Sequence, residues 1–458
     1  MRGDRLFDGG LLAQARRILR VVFGRALADI DQKVYRGELV PRHGPGATAD
    51  KRRGNKKWIM PYWYDRLEYL FPYRDYALPN LRYAREEQDV NWMSPWNELP
   101  VLLTPVPKTY TTPRLIAIEP TVMQYIQQAI MTSLVPALEN DPLAGLFVAF
   151  TDQSRNQELA QWGSYSGALA TLDLSEASDR VANWLVEDLF ADFPWFLEGI
   201  QACRSTTIQL PSGEKHNLQK FASMGSALTF PIESMIFTVI ALLGCLGAST
   251  DPSDGAIRHL AGSVRVYGDD IVVPTDKAEV VIDLLETFGF RVNRGKSFWT
   301  GPFRESCGKE YFAGSDVTIV RCRESFPRSR HSVKQLVSLS SFRNQLCEAG
   351  WLSTVEILDK ELTKLLNGYY PFISKNTACL GRIGPEPPEV QRLNLLLFRY
   401  EVRGYVVNSR LPSSILNEAP ALLKCLSHPE ISRYDPTHLT RSGRPRVVSL
   451  KLAWVHVA

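Results

Sequence analysis

The sequence predicts an α+β protein in which antiparallel hairpins alternate with long helices, followed by a more helical C-terminal region. Three stretches lead there. Residues 264–273, VRVYGDDIVV, are two short apolar runs joined through Gly268 and Asp269, the pattern of a tight hairpin. Residues 168–190, ALATLDLSEASDRVANWLVEDLF, change period. Apolar residues alternate through Leu174, then Val181, Trp184, Leu185 and Leu189 recur at helical spacing, with Ser175 placed to cap: strand, turn, helix. Residues 276–290, DKAEVVIDLLETFGF, form an amphipathic helix ended by Gly289.

The other elements follow in order. Residues 11–30, LLAQARRILRVVFGRALADI, are a basic helix, succeeded by a Gly/Pro loop at 42–58 and an aromatic, proline-bearing stretch through Trp96. A Thr/Pro-rich loop from Thr104, carrying Lys108 and Arg114, closes on the strand-like LIAIEP and leads into a helix over 121–140. Residues 207–221, TIQLPSGEKHNLQKF, make a hairpin with Ser212-Gly213 at its tip. A Gly-containing loop then enters a long helix, whose apolar run at 235–248 is shorter than the roughly 20 residues that span a bilayer, so it reads as buried. Residues 291–299, RVNRGKSFW, return as a strand, and 332–350 and 388–406 are the clearest C-terminal helices, in what reads as a separate subdomain.

Composition narrows the class. A chain of 458 residues, 45% hydrophobic and 22% charged, can bury a sizeable core of roughly two to four domains. Its seven cysteines stand singly, unlike a zinc site or a secreted disulfide scaffold, which favours a reducing compartment. Asp4 and Asp8 interrupt what would be the apolar core of a secretory signal, so export is not expected. Charge is uneven: residues 1–60 hold 14 Lys/Arg against 6 Asp/Glu, and 291–343 hold 11 against 4. With the RSGRPR run at 441–446 and interleaved aromatics, these clusters point to a polyanion such as nucleic acid; solvated surface charge is the plainer alternative.

The chemistry centres on Asp269 and Asp270. As turn residues, Gly268 and Asp269 could merely supply backbone angles. The buried flanks argue further, because two uncompensated carboxylates at the edge of a packed sheet repel each other and lose solvation. A divalent metal removes both problems, and oxygen ligands suit Mg2+ or Mn2+. Two such ions about 4 Å apart can activate an attacking hydroxyl and stabilise a leaving oxygen. A third carboxylate is then needed, and Asp173, at the end of the ATLDL strand, is placed to supply it, although it could also be an ordinary capping residue.

The order of these pieces resembles the palm of template-dependent RNA polymerases, with DLSEASD as motif A, SMGSALTFPIES as motif B, YGDD as motif C and FRVNRGKSF as motif D. More narrowly, HGPGATA, VPKTYTTPRLIAIEPTVMQYIQ, DLSEASDR, SMGSALTFPIESMIF and GPFRESCGKEYFAGSDVTIVR resemble the replicase beta subunit of the leviviruses, the small positive-strand RNA bacteriophages, over residues 43–321. The resemblance implies a right hand: fingers over 1–160, palm over 161–320 with a fingers hairpin near 203–222, and a helical thumb and C-terminal region over 321–458. It implies an RNA-directed RNA polymerase in which Asp173 and Asp269 hold two metals, Asp270 assists, and Lys296 donates a proton to pyrophosphate. Lys108 and Arg114 would meet the triphosphate, the Arg114 fork suiting phosphate better.

Sugar choice follows from the helix side of motif A. A bulky aromatic five positions after Asp173 would obstruct a ribose 2′-hydroxyl; here Ser178 stands there, followed by Asp179, with Ser223 and Gly225 of the motif B loop nearby, which favours ribonucleotides. Motif B departs from many viral RNA polymerases in carrying Glu233 where they have Asn. Template RNA, ribonucleoside triphosphates, host elongation factors Tu and Ts and a ribosomal protein are the implied partners, in the host bacterial cytoplasm and without a membrane. A reverse transcriptase and a non-catalytic RNA-binding protein retaining the fold are the alternatives.

Overall fold

A computed structural model describes residues 9–107, 113–247, 252–410, 415–427 and 447–457. Contacts divide them into two compact units, one within Met1–Thr318 and Ser414–Tyr434, the other within Ile319–Ser413 and Asp435–Ala458.

The first unit is built on long helices. Helix Gly9–Tyr35 buries Ala15, Ile18, Leu19, Val22, Ala26 and Ile30 along one face and packs on helices Thr121–Asn140, Pro194–Ala202 and Thr229–Leu246. Its opposite face is cationic, and Arg16 there pairs with Asp188 at 3.0 Å. Helix Thr229–Leu246 is mostly apolar on every side because it lies in the core, with Glu233 as its one charged residue. It has the length and composition of a membrane span, with mean hydropathy 1.8, yet 83% of it is buried inside the protein.

Against this helix rests a three-stranded antiparallel sheet in the order Leu169–Leu172, Asp270–Pro274, Arg265–Tyr267. Its registers are Leu172 with Ile271 and Tyr267 with Asp270. Helix Ser154–Ser166 packs on the sheet and on the hairpin Phe303–Ser306 and Lys309–Phe312 that follows in sequence. Helix Ala278–Thr287 packs against Thr229–Leu246, and Gly289, at φ +91°, follows its end as expected.

A second sheet carries the basic stretch. Strands Val101–Pro107 and Pro113–Ile118 pair antiparallel, and Val101–Pro107 also pairs with Thr207–Gln209 of the expected hairpin, whose tip Gly213 has φ +96°. The stretch from Thr104 is therefore a ribbon rather than a loop, since Thr104 to Pro107 face Ile116 to Pro113 in ladder register. Lys108 lies outside the described residues, as do residues 441–446.

Three further expectations need correction. Ser175 does not cap a helix: Glu176, at φ +57°, precedes the one-turn helix Ala177–Arg180, and the longer helix Asn183–Leu189 starts afresh. Residues 291–299 are not a strand. They form a tight turn, Lys296 N donating to Asn293 O, touching the sheet only at isolated bridges such as Thr171 with Phe298.

The second unit holds helices Val333–Glu348 and Leu352–Leu365, as expected, but residues 388–406 are not helical. Strands Arg392–Asn394 and Arg399–Arg410 make a hairpin, and Arg399–Arg410 pairs along its length with Val447–His456. The apolar residues Leu395 to Phe398 suggested a helix but form the exposed tip of that hairpin. The partner strand is some forty residues distant, so no local period announces it. A helical C-terminal region thus holds for 333–365 and fails beyond, and helix Glu418–Leu426 packs in the first unit, where Lys424 donates to Asn55 at 2.8 Å.

Candidate active site

The hairpin turn at the heart of the site is forced by packing. Gly268 has φ +61°, and a Cβ there would lie 2.2 Å from Cε2 of Phe230, so no other residue fits the turn without strain. Its amide donates to Ser234 Oγ at 3.1 Å, and that hydroxyl donates to Phe230 O, fastening the turn to the buried helix. Asp269 completes the turn and Asp270 opens the next strand.

Asp173 follows directly after strand Leu169–Leu172. The register pairing Leu172 with Ile271, carried one residue further, sets Asp173 across from Asp270. Like charges directly opposite each other on a sheet are destabilising. Burial pushes Asp270 up to about 7, and the charges of Asp269 and Asp173 push the same way. Asp173 is raised by burial first, then by Asp269, while a hydrogen bond from Asn293 and the charge of Lys296 oppose the rise. Sheet topology thus brings the three expected carboxylates within electrostatic reach of one another.

Residues not singled out beforehand hold these acids in place. Asn293 Nδ2 donates to Asp173 Oδ2 at 2.8 Å and its amide donates to Asp173 O at 2.8 Å; Ser297 Oγ accepts from Asp173 N at 3.0 Å. Both lie in the stretch 290–298 that resembles motif D, where Lys296 is exposed beside them. Glu305, on strand Phe303–Ser306, adds negative charge felt by both Asp173 and Asp270. The only signal for it is its position in the FRESCG run.

Among the described residues, no group of three or more His, Cys, Asp or Glu side chains is drawn together as a ready-made metal cluster. The donor set nevertheless fits a hard divalent cation. It is all oxygen, and its charge is only partly offset by the exposed Lys296.

The motif B loop lies alongside. Gly225 has φ +137°, and a Cβ on it would sit 1.9 Å from Ala117 O, while Ala117 N donates to Met224 O at 2.9 Å. The loop is thereby joined to strand Pro113–Ile118, whose exposed Arg114 faces Val106 across the ribbon. Beneath the loop, Gln127 Oε1 accepts from Ala227 N, and Ser205 Oγ donates to the buried Glu119, which burial raises to about 7. Asp179 pairs with Lys220 at 2.5 Å, and Ser178 and Ser223 are buried.

Comparison with known proteins identifies the family. The chain is 35% identical over 315 residues to the RNA-directed RNA polymerase subunit beta of Enterobacteria phage SP, covering 68% of this chain and 51% of that protein. It is 39% identical over 226 residues to the corresponding subunit of Qbeta virus (strain MX1), covering 49% of this chain and 35% of that one. It therefore spans about half the length, or less, of these relatives. Among solved structures it is similar to the RNA-dependent RNA polymerase of a human picorbirnavirus, with TM-score 0.40 and 14% identity, covering 59% of this chain and 57% of that chain. The family model described as RNA replicase, beta-chain, matches residues 86–379, more than half of the sequence, so the chain, an α+β protein, belongs to that family.

Proposed function

We propose that this chain is an RNA-directed RNA polymerase that replicates a positive-strand RNA phage genome, joining ribonucleoside triphosphates on an RNA template. The observation that carries the reading is the opposition of Asp173 and Asp270, with Asp269 in the adjoining turn, in a member of the RNA replicase beta-chain family. Like charges so placed cost stability unless a cation offsets them.

The family implies a divalent metal; that it is Mg2+, as two ions, with Mn2+ able to substitute, is part of the proposal. Asp173 and Asp269 would hold it with help from Asp270, and Asn293 and Ser297 orient Asp173. Bound there, the metal supplies activation of the attacking 3′-hydroxyl and neutralisation of charge at the α-phosphate. Lys296, exposed and attracted to Asp173, gives its proton to the departing pyrophosphate. Arg114, with Lys108, meets the triphosphate. Ser178, Asp179, Ser223 and Gly225 surround the ribose.

In the same reading residues 1–160 with the 203–222 hairpin are fingers, 161–320 palm, and 321–458 thumb and C-terminal region, apart from residues 415–427, which pack in the first unit. Action inside the host bacterium, in its cytoplasm, and use of elongation factors Tu and Ts and a ribosomal protein belong to the proposal. The phage relatives support action inside the host, while the host factors rest on the family resemblance alone.

The test is incorporation of labelled ribonucleotides on single-stranded RNA with Mg2+ or Mn2+, comparing wild type with Asp269→Asn, with and without host extract. Extension by wild type only supports the site, and extension that needs extract supports host partners. Equal activity in the variant overturns the assignment, and RNA binding with no incorporation under any condition favours a binding protein.

A further inference from the structure

Glu119 is a buried carboxylate that the joining of nucleotides does not use. It follows strand Pro113–Ile118 directly and is 3% exposed. Ser205 Oγ donates to its Oε2 at 2.5 Å, the Gln127 side chain hydrogen-bonds it, and its backbone oxygen accepts from Ala49 N at 2.8 Å. Enclosing an acid costs desolvation that a neutral side chain would avoid, so its presence asks for a use.

Gln127 carries its influence to the motif B loop. Gln127 Nε2 donates to Cys203 O at 2.9 Å, and Gln127 Oε1 accepts from Ala227 N at 3.2 Å. Glu119, Gln127 and Ser205 also line, with Ser223 and Ser226 of the loop, a cavity of about 10 Å3, room for one water and nothing larger. Acid and loop are therefore separated by little more than Gln127. The charges facing Glu119 come from two other elements: Arg66, paired with Glu98 at 2.6 Å, and Arg204, which donates to Lys220 O at 3.1 Å. The neighbouring Cys203 thiol stays neutral, since burial raises it. Burial raises Glu119 to about 7, although Ser205, Gln127, Arg66 and Arg204 all favour its ionised form.

We propose that Glu119 is a positioning residue for the motif B loop, its ionised carboxylate holding Gln127 and, through Gln127, the Ala227 amide, so that protonation loosens the loop's grip on the incoming nucleotide. This rests on the polymerase reading above. A carboxylate accepts a stronger hydrogen bond than a neutral acid does. A neutral acid must also place its own proton, which Ser205 Oγ can accept and Gln127 Nε2 cannot. Protonation therefore weakens the bond that orients Gln127.

The experiment measures KM for a ribonucleoside triphosphate on an RNA template between pH 6 and 8, for wild type, Glu119→Gln and Ser205→Ala. Tm and amide hydrogen exchange of residues 223–228 are read in the same proteins. In wild type, KM is expected to rise about fivefold from pH 8 to pH 6, and exchange in the loop to quicken beyond its intrinsic change with pH. Glu119→Gln, neutral throughout, should show the raised KM and the quicker exchange at every pH. Ser205→Ala removes a bond that favours the ionised acid, so it should move the midpoint to higher pH; it answers the question if the Gln variant fails to fold. A KM that changes with pH equally in wild type and both variants overturns the inference and leaves the polymerase reading intact. A lowered Tm with KM profile and loop exchange unchanged overturns it too, since Glu119 would then be structural only. A wild type that incorporates no nucleotide overturns the polymerase reading, and loop exchange then still decides whether Glu119 holds the loop.

Discussion

Two sheets in this protein treat buried acid in opposite ways. In the second unit, Glu401 on strand Arg399–Arg410 accepts from Arg392 at 2.7 Å, Arg399 at 2.9 Å and Asn394 at 3.0 Å. Those bonds, above all the one from Arg392, hold its carboxyl down at about 2. In the first unit, Asp270 has Asp173 across the strand and Asp269 next to it, and is pushed up to about 7. Neutralising a charge inside the fold makes a fastener. Leaving it short of cations makes a site that waits for a cation from outside.

The sharpest way to break this contrast is to remove charge on each side. Asp269→Asn should lower nucleotide incorporation by about 1000-fold or more without lowering Tm. Glu401→Gln should lower Tm and leave the divalent-ion dependence of incorporation unchanged. A loss of metal dependence in the Glu401 variant would erase the distinction.

Gly268→Ala tests whether the turn itself is under constraint. A left-handed φ and the collision with Phe230 should cost about 2 kcal/mol in denaturant unfolding. A neutral outcome would mean that the helix yields.

Asn293→Ala removes the side-chain bond to Asp173 without touching a carboxylate. Incorporation should fall about tenfold and the metal concentration for half-activity should rise, as for other residues that orient a ligand.

The smallest effect concerns pH. Asp270 and Asp173 are raised in the folded chain, so the fold binds more protons than the unfolded chain between about pH 4 and 7. Stability without metal is therefore present at acid pH and is lost as pH rises through that window. Asp270→Asn should flatten the slope and raise metal-free stability near pH 7.5 by about 1 kcal/mol, read from Tm in EDTA.

The carboxylates were legible because their signals are local. A Gly-Asp pair between apolar runs is a hairpin, and an Asp at a strand end is visible from the change of period. Asn293, Ser297 and Glu305 were not, since their importance arises from hydrogen bonds and charge that reach carboxylates far away in the sequence. The same limit explains residues 388–406. The run of Leu395, Leu396 and Leu397 has helical composition, but its flanks pair with each other as a hairpin, which strand Val447–His456, far along the chain, extends into a sheet. Ser175 failed as a cap because Glu176 takes a left-handed turn before Ala177–Arg180, and the extended backbone of Val181 and Ala182 divides the expected helix in two.

Between Gly225 and Ala117 there is a seam of bare backbone, with no side chain to act as a cushion. Such a seam has no rotamer that can absorb a small displacement, so it holds or it parts. While it holds, motif B and the ribbon bearing Arg114 behave as one lever. We predict that the Ala117 amide, donated to Met224 O, exchanges its hydrogen in step with the loop's own amides; independent exchange would show two separate parts. If the lever is real, the sugar end and the phosphate end of a nucleotide are felt together, and a substrate that fits only one of them is loosely held at both.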